Sequence, residues 1–156
     1  MANFEASLLE SMDDPLERSR YRKMQKEIET DPHIQWGKNI NVLIISDRCG
    51  GRAFGLYNFL MARTDLSVRI RDNAPIIREA VQYCTPDIVI FVGYQKNREN
   101  YRILKDREHN PFLAVMYASV DFIIRDECER YDIQHMYHCM DPTADFIRFL
   151  KNHYLM

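Results

Sequence analysis

The stretch Pro86-Asp87-Ile88-Val89-Ile90-Phe91-Val92-Gly93 decides the fold. Its apolar run is the length of a strand, rich in β-branched side chains, and shows no polar alternation. Such a run is covered on both faces, as strands are inside a parallel sheet. Gly93 marks a turn at the strand's carboxyl end. In open parallel sheets that edge is where ligands and catalytic groups collect. Val92 stands there, and a valine can neither take a phosphoryl group nor hold a metal, so the position best suited to chemistry is chemically silent.

Working outward, strand and helix patterns alternate. Val42 to Ile45 reads as a buried strand, and Arg52 to Arg63 as a helix carrying Phe54, Tyr57, Leu60 and Met61. Leu66 to Arg71 is a second strand, Ile76 to Tyr83 a short helix, and Ile88 to Val92 the third strand. Asn100 to Arg107 reads as a helix, Phe112 to Tyr117 as the fourth strand, Phe122 to Tyr131 as a helix and Met136 to Cys139 as a short fifth strand. Thr143 to Tyr154 closes as a helix, with Asp141-Pro142 at its start and Phe146, Phe149 and Leu150 on its apolar face. Five units of this kind predict a doubly wound α/β domain with right-handed crossovers.

The first 38 residues have a different texture. Asp13-Asp14-Pro15 is a good helix start, and Leu16 to Thr30 is rich in long helix-forming side chains. Tyr21, Met24 and Ile28 fall on one face. That stripe must cover either this chain's own core or the surface of a partner. Five helices already suffice for both faces of a five-stranded sheet, so the extra helix is expected to supply interface residues. Asp31-Pro32-His33 and Trp36-Gly37 read as a break and connector. The expected division is residues 1–38 as a helical extension and residues 39–156 as the α/β domain.

Composition limits the function classes. A chain of 156 residues that is 46% hydrophobic builds one sizeable core. Its formal charge of -2 gives no general pull toward nucleic acid or acidic membranes. No stretch approaches the roughly 20 apolar residues of a membrane span, and Met1-Ala2-Asn3-Phe4-Glu5 lacks the order of a secretory signal. The expected location is the cytoplasm. The cysteines, Cys49, Cys84, Cys128 and Cys139, are scattered without a CxxC pair, so reduced thiols are expected rather than disulfides or a zinc site.

From Asn41 to Tyr154 the order of motifs resembles the CheY-like receiver domains of two-component response regulators. The similar stretches are Asn41-Val42-Leu43-Ile44-Ile45-Ser46-Asp47, Asp65 to Arg71 leading into Ile76 to Tyr83, Thr85-Pro86-Asp87-Ile88-Val89-Ile90, and Asp141-Pro142-Thr143-Ala144-Asp145-Phe146-Ile147. The resemblance implies a flavodoxin-like five-stranded parallel sheet with an extra N-terminal helix. Receivers carry an acidic pair after the first strand, an acceptor aspartate after the third, a hydroxyl residue after the fourth and a lysine after the fifth. Carboxylates hold a hard cation, cation and lysine neutralise phosphoryl charge, and one carboxylate is the nucleophile. Here the pair is reduced to Ser46-Asp47, Val92 takes the acceptor's place, and Tyr117, Ala118 or Ser119 stands at the hydroxyl position. No lysine lies between Lys105 and Lys151. The resemblance with these departures implies a degenerate phosphoacceptor pocket, hence a non-enzymatic, phosphorylation-independent pseudo-receiver with no cofactor and no metal.

Two further clusters are weighed beside it. Cys49-Gly50-Gly51-Arg52, between a strand and a helix, could cradle an anion or activate the thiol. It lacks the Cys-x5-Arg of phosphatase loops. An alternative function is therefore a small ligand-binding protein or enzyme using Asp47, Cys49, Gly50 and Gly51. His135-Met136-Tyr137-His138-Cys139 offers soft ligands, but strand alternation sends His135 and Cys139 to one face and His138 to the other. The local basic residues Arg98, Arg102, Lys105 and Arg107 are interrupted by Glu99, so nucleic-acid binding is not expected.

In receivers the fourth helix, fifth strand and fifth helix serve dimerisation and output. The matching stretch holds Phe122, Tyr131, Tyr137 and Phe149, which join Tyr21, Met24 and Ile28 as candidate interface residues. The expected partner is a second protein or a second copy of this chain, not a membrane.

Overall fold

The computed structural model describes residues 15–46, 51–72, 85–92, 112–117 and 135–155, with positions 126, 129, 130 and 133. The predicted helices 76–83, 100–107 and 122–131 lie outside the described residues, except that 126, 129 and 130 are helical. The remaining elements are α1 (Pro15–Thr30), β1 (Asn41–Ser46), α2 (Gly51–Arg63), β2 (Ser67–Asp72), β3 (Ile88–Val92), β4 (Phe112–Tyr117), β5 (His135–His138) and α3 (Thr143–Tyr154).

The sheet is fully parallel in the order β2-β1-β3-β4-β5. β3 is buried along its whole length, which is why its sequence shows no alternation. The pleat divides the central strands between two apolar layers. Val42, Ile44, Ile88, Ile90 and Val92 face α2 and α3, where Leu56, Phe59, Phe146, Ile147 and Leu150 meet them. Leu43, Ile45, Val89 and Phe91 face the opposite layer with Leu113, Val115 and Ile133. Strand order reverses between β1 and β3, and the carboxyl edge at that reversal is the natural crevice of such a sheet.

α1 corrects one expectation. Tyr21 is 2% exposed and Met24 is fully buried, with Ile28 partly buried against the same core. The stripe packs on this chain's own core, and Tyr21 and Met24 are buried there rather than presented to a partner. Its apolar partner is the outer side of α2. Gly55 opens that side: a Cβ there would stand 2.6 Å from the Met24 sulfur. The absent side chain lets α1 approach α2 closely. Arg63 Nε donates to the Ile28 carbonyl at 2.6 Å and closes the far end of the contact.

The connector is fastened at the amino edge of the sheet. Ile34 bridges to Thr64, its amide donating to the Arg63 carbonyl at 2.7 Å. The Asp65 carboxylate accepts the amides of Trp36 at 2.8 Å and Gly37 at 2.9 Å. Gly37 has φ +75°, a left-handed turn that glycine adopts without cost. Burial raises the Asp65 pKa, but these amide bonds and nearby His33 outweigh it and hold the carboxyl below its usual range. Lys151 of α3 donates to the Gln35 carbonyl. Met24, Ile34, Trp36 and Ile40 thus belong to the core that covers the sheet.

Candidate functional site

The carboxyl edge is built from strand ends held in register. Ser46 of β1 pairs with Val92 of β3, Val92 with Met116 of β4, and Tyr117 with His138 of β5. Ser46 and Val92 are each 3% exposed, so this edge presents a buried hydroxyl beside a buried isopropyl group. Tyr117 is half-buried one residue further along, its ring edge-on to His138 at 5.4 Å. Ser46, Val92 and Tyr117 therefore do gather at one edge. Asp47, Cys49, Gly50 and Ser119 lie outside the described residues. Gly51 opens α2, and the half-buried Arg52 follows it.

What the edge offers chemically is limited. Val92 has neither a lone pair nor a proton to give. The His138 ring Nδ1 accepts the Met140 amide at 3.1 Å. A lysine does stand near the end of β5, supplied from a place that no local motif could reveal. Lys23 of α1 donates to the Cys139 carbonyl at 3.2 Å and to the Asp141 carbonyl at 2.6 Å, and pairs with Glu27 at 3.0 Å. An ammonium has three donors, and these partners take all three. Lys23 is a clamp on the turn after β5.

A second constellation lies on β5 and α3, where the edge of the sheet meets the last helix. Tyr137 stacks on Phe146 at 4.1 Å and meets Phe149 at 5.7 Å. His135 stacks on Phe112 at 4.5 Å and lies 5.3 Å from Phe149 and 5.0 Å from His153. Phe149 is 38% exposed and Met140 51% exposed. The alternation expected of β5 holds: His135 and Tyr137 face α3 with Cys139, and His138 turns toward Tyr117 on the other side. Of the candidate interface residues, Tyr137 and Phe149 meet here, whereas Phe122 and Tyr131 lie outside the described residues. Burial raises the Tyr137 hydroxyl pKa, with Asp145 and Asp141 adding to it, and burial with Asp87 does the same at Tyr154. Phe112, Met140 and His153 were not among the expected residues. The i, i+4 spacing of Phe149 and His153 on α3 was the available signal.

Among the described residues no group of three metal-ligating side chains converges, and no helix is long and apolar enough to cross a membrane. Cys139 is buried and forms no disulfide.

No family model matches the sequence, and no curated protein is similar to it. Among solved structures, the chain is similar to the signal receiver domain of NarL from Mycobacterium tuberculosis. The TM-score is 0.61 at 10% identity, covering 76% of this chain and 98% of that one. The fold is therefore receiver-like: a flavodoxin-like α/β sheet of five parallel strands, here preceded by α1.

Proposed function

We propose that this chain is a pseudo-receiver, a non-catalytic regulatory module of the cytoplasm that signals by protein contact and not by phosphoryl transfer. A receiver-like fold supports a signalling role. The observation that carries the finer reading is Val92. It stands at the buried end of β3, in register with Ser46 and Met116, where the resemblance places an acceptor carboxylate. None of these three side chains can form an acyl phosphate. Among the described residues, the lysine near the end of β5 is Lys23, and it is saturated by two carbonyls and Glu27, so it is not available to neutralise phosphoryl charge.

Contact passes through the face of β5 and α3, where Tyr137, Phe149 and Met140 join aromatic rings to partly open apolar surface. Aromatic and Met side chains are enriched at interface cores. The occupant is a second copy of this chain or a protein partner. The test of the phosphorylation-independent reading is incubation with acetyl phosphate and magnesium, followed by intact-mass measurement. The expected mass is that of the unmodified chain, and a labile phosphoryl adduct on an aspartate would overturn the proposal.

A further inference from the structure

His135 is 7% exposed, and its Nδ1 has neither a hydrogen-bond partner nor contact with solvent. A neutral imidazole tolerates that position, because one of its nitrogens carries only a lone pair. An imidazolium does not. Protonation puts N–H on both nitrogens, and Nδ1–H becomes a buried donor of a cation with nothing to receive it. The surroundings offer no relief. β4 contributes Phe112, stacked at 4.5 Å. α3 contributes Phe149 and His153, and the His153 Nδ1–H already donates to the Phe149 carbonyl at 2.9 Å. Among the described residues, His153 is the titratable group in ring contact with His135. The carboxylates of Asp141 and Asp145 act on Tyr137 instead, and Asp145 is paired with Arg148 at 3.5 Å.

We propose that His135 is a pH-operated latch, which holds the end of α3 against β4 and β5 while neutral and releases it when protonated. Burial first, and the neighbouring His153 second, push the His135 pKa below its ordinary 6.5. The sign follows. The released state takes up the proton near 6.5 and the docked state resists it, so docking is fully stable above that pH and weakens as pH falls below it. The rings that the latch holds, Phe149 and Tyr137, belong to the face assigned above to protein contact. The latch adds regulation to that reading, but it is measured on the chain alone.

Trp36, the chain's single tryptophan, is 4% exposed and lies 6.2 Å from Tyr154 at the end of α3. Its emission reports release directly. Acidifying the full chain from pH 7.5 to 5 is expected to red-shift that emission, with a midpoint below 6.5. His135→Phe keeps the ring stack without the proton and is expected to give a flat profile. His33→Gln, a control for the histidine near Trp36 in sequence, is expected to keep the transition. His153 is exposed, so His153→Gln folds, and removing its charge lets the docked state accept the proton more readily, which is expected to move the midpoint downward. A flat profile in the unaltered chain, the same transition in folded His135→Phe, or an unmoved midpoint in His153→Gln would each overturn the latch. None of these readings depends on whether the face docks a partner.

Discussion

The contact between Gly55 and Met24 is where one atom decides how α1 sits. Two effects oppose each other at this position. Glycine in a helix interior costs about 1 kcal/mol relative to alanine, which favours Gly55→Ala. Its new Cβ would stand 2.6 Å from the Met24 sulfur and 3.1 Å from the Met24 Cβ, so the neighbour's root as well as its flexible end must move. Overpacking of this kind costs about 1–3 kcal/mol. Gly55→Ala is therefore expected to destabilise the chain by up to about 2 kcal/mol in urea denaturation. In a Met24→Ala background the 2.6 Å overlap with the sulfur is gone and only the 3.1 Å approach of the Cβ remains, so the same substitution is expected to cost less than in the unaltered chain. Equal effects in both backgrounds would show that the two side chains are not coupled.

At the scale of elements, α1 completes α3. The N-cap of α3 is Pro142, which has no side chain to offer the first-turn amides, and no side-chain cap bond is present. Glu27 supplies one from 116 residues away, accepting the Thr143 amide at 2.8 Å and the Thr143 hydroxyl at 2.9 Å. Its charge also suits the positive end of the helix dipole. Lys23, one turn earlier on α1, grips the carbonyls of the turn that leads in. Loss of a helix cap costs about 0.5–2 kcal/mol. Glu27→Ala is expected to lower stability by about 1–2 kcal/mol, and faster amide exchange is expected in the first turn of α3. Unchanged exchange at Thr143 would rule out Glu27 as the cap.

For the whole molecule, the burial of the α1 stripe redirects the question of assembly. Tyr21 and Met24 are spent inside the chain, and among the described residues the exposed large apolar side chains are Met61, Met140 and Phe149, of which Met140 and Phe149 belong to the face proposed for a partner. The full chain is expected to run as a dimer, or as a stable complex with a partner retained from lysate, when its mass is measured by light scattering. Phe149→Asp is expected to abolish the assembly with little effect on the fold, because Phe149 is already 38% exposed. A monomer that retains no partner would remove the contact reading.

Among the described residues, the sequence alone determined the order of strands and helices, because the β3 run and the periodic helices carry their periods locally. β3 was expected at Ile88 to Val92 and is found there, and α3 spans Thr143 to Tyr154 as read. The placement of Val92 at the sheet edge was equally legible, since a strand's carboxyl end follows from its own residues. Only the tertiary structure decided what α1 covers. An amphipathic stripe records that something apolar is needed and not which surface supplies it, and here Gly55 and the outer side of α2 supply it. The same holds for Lys23 and Glu27 on the turn before α3, and for His135 beside His153. These pairings join residues far apart in the chain, and their energies depend on distances and burial that no local pattern encodes.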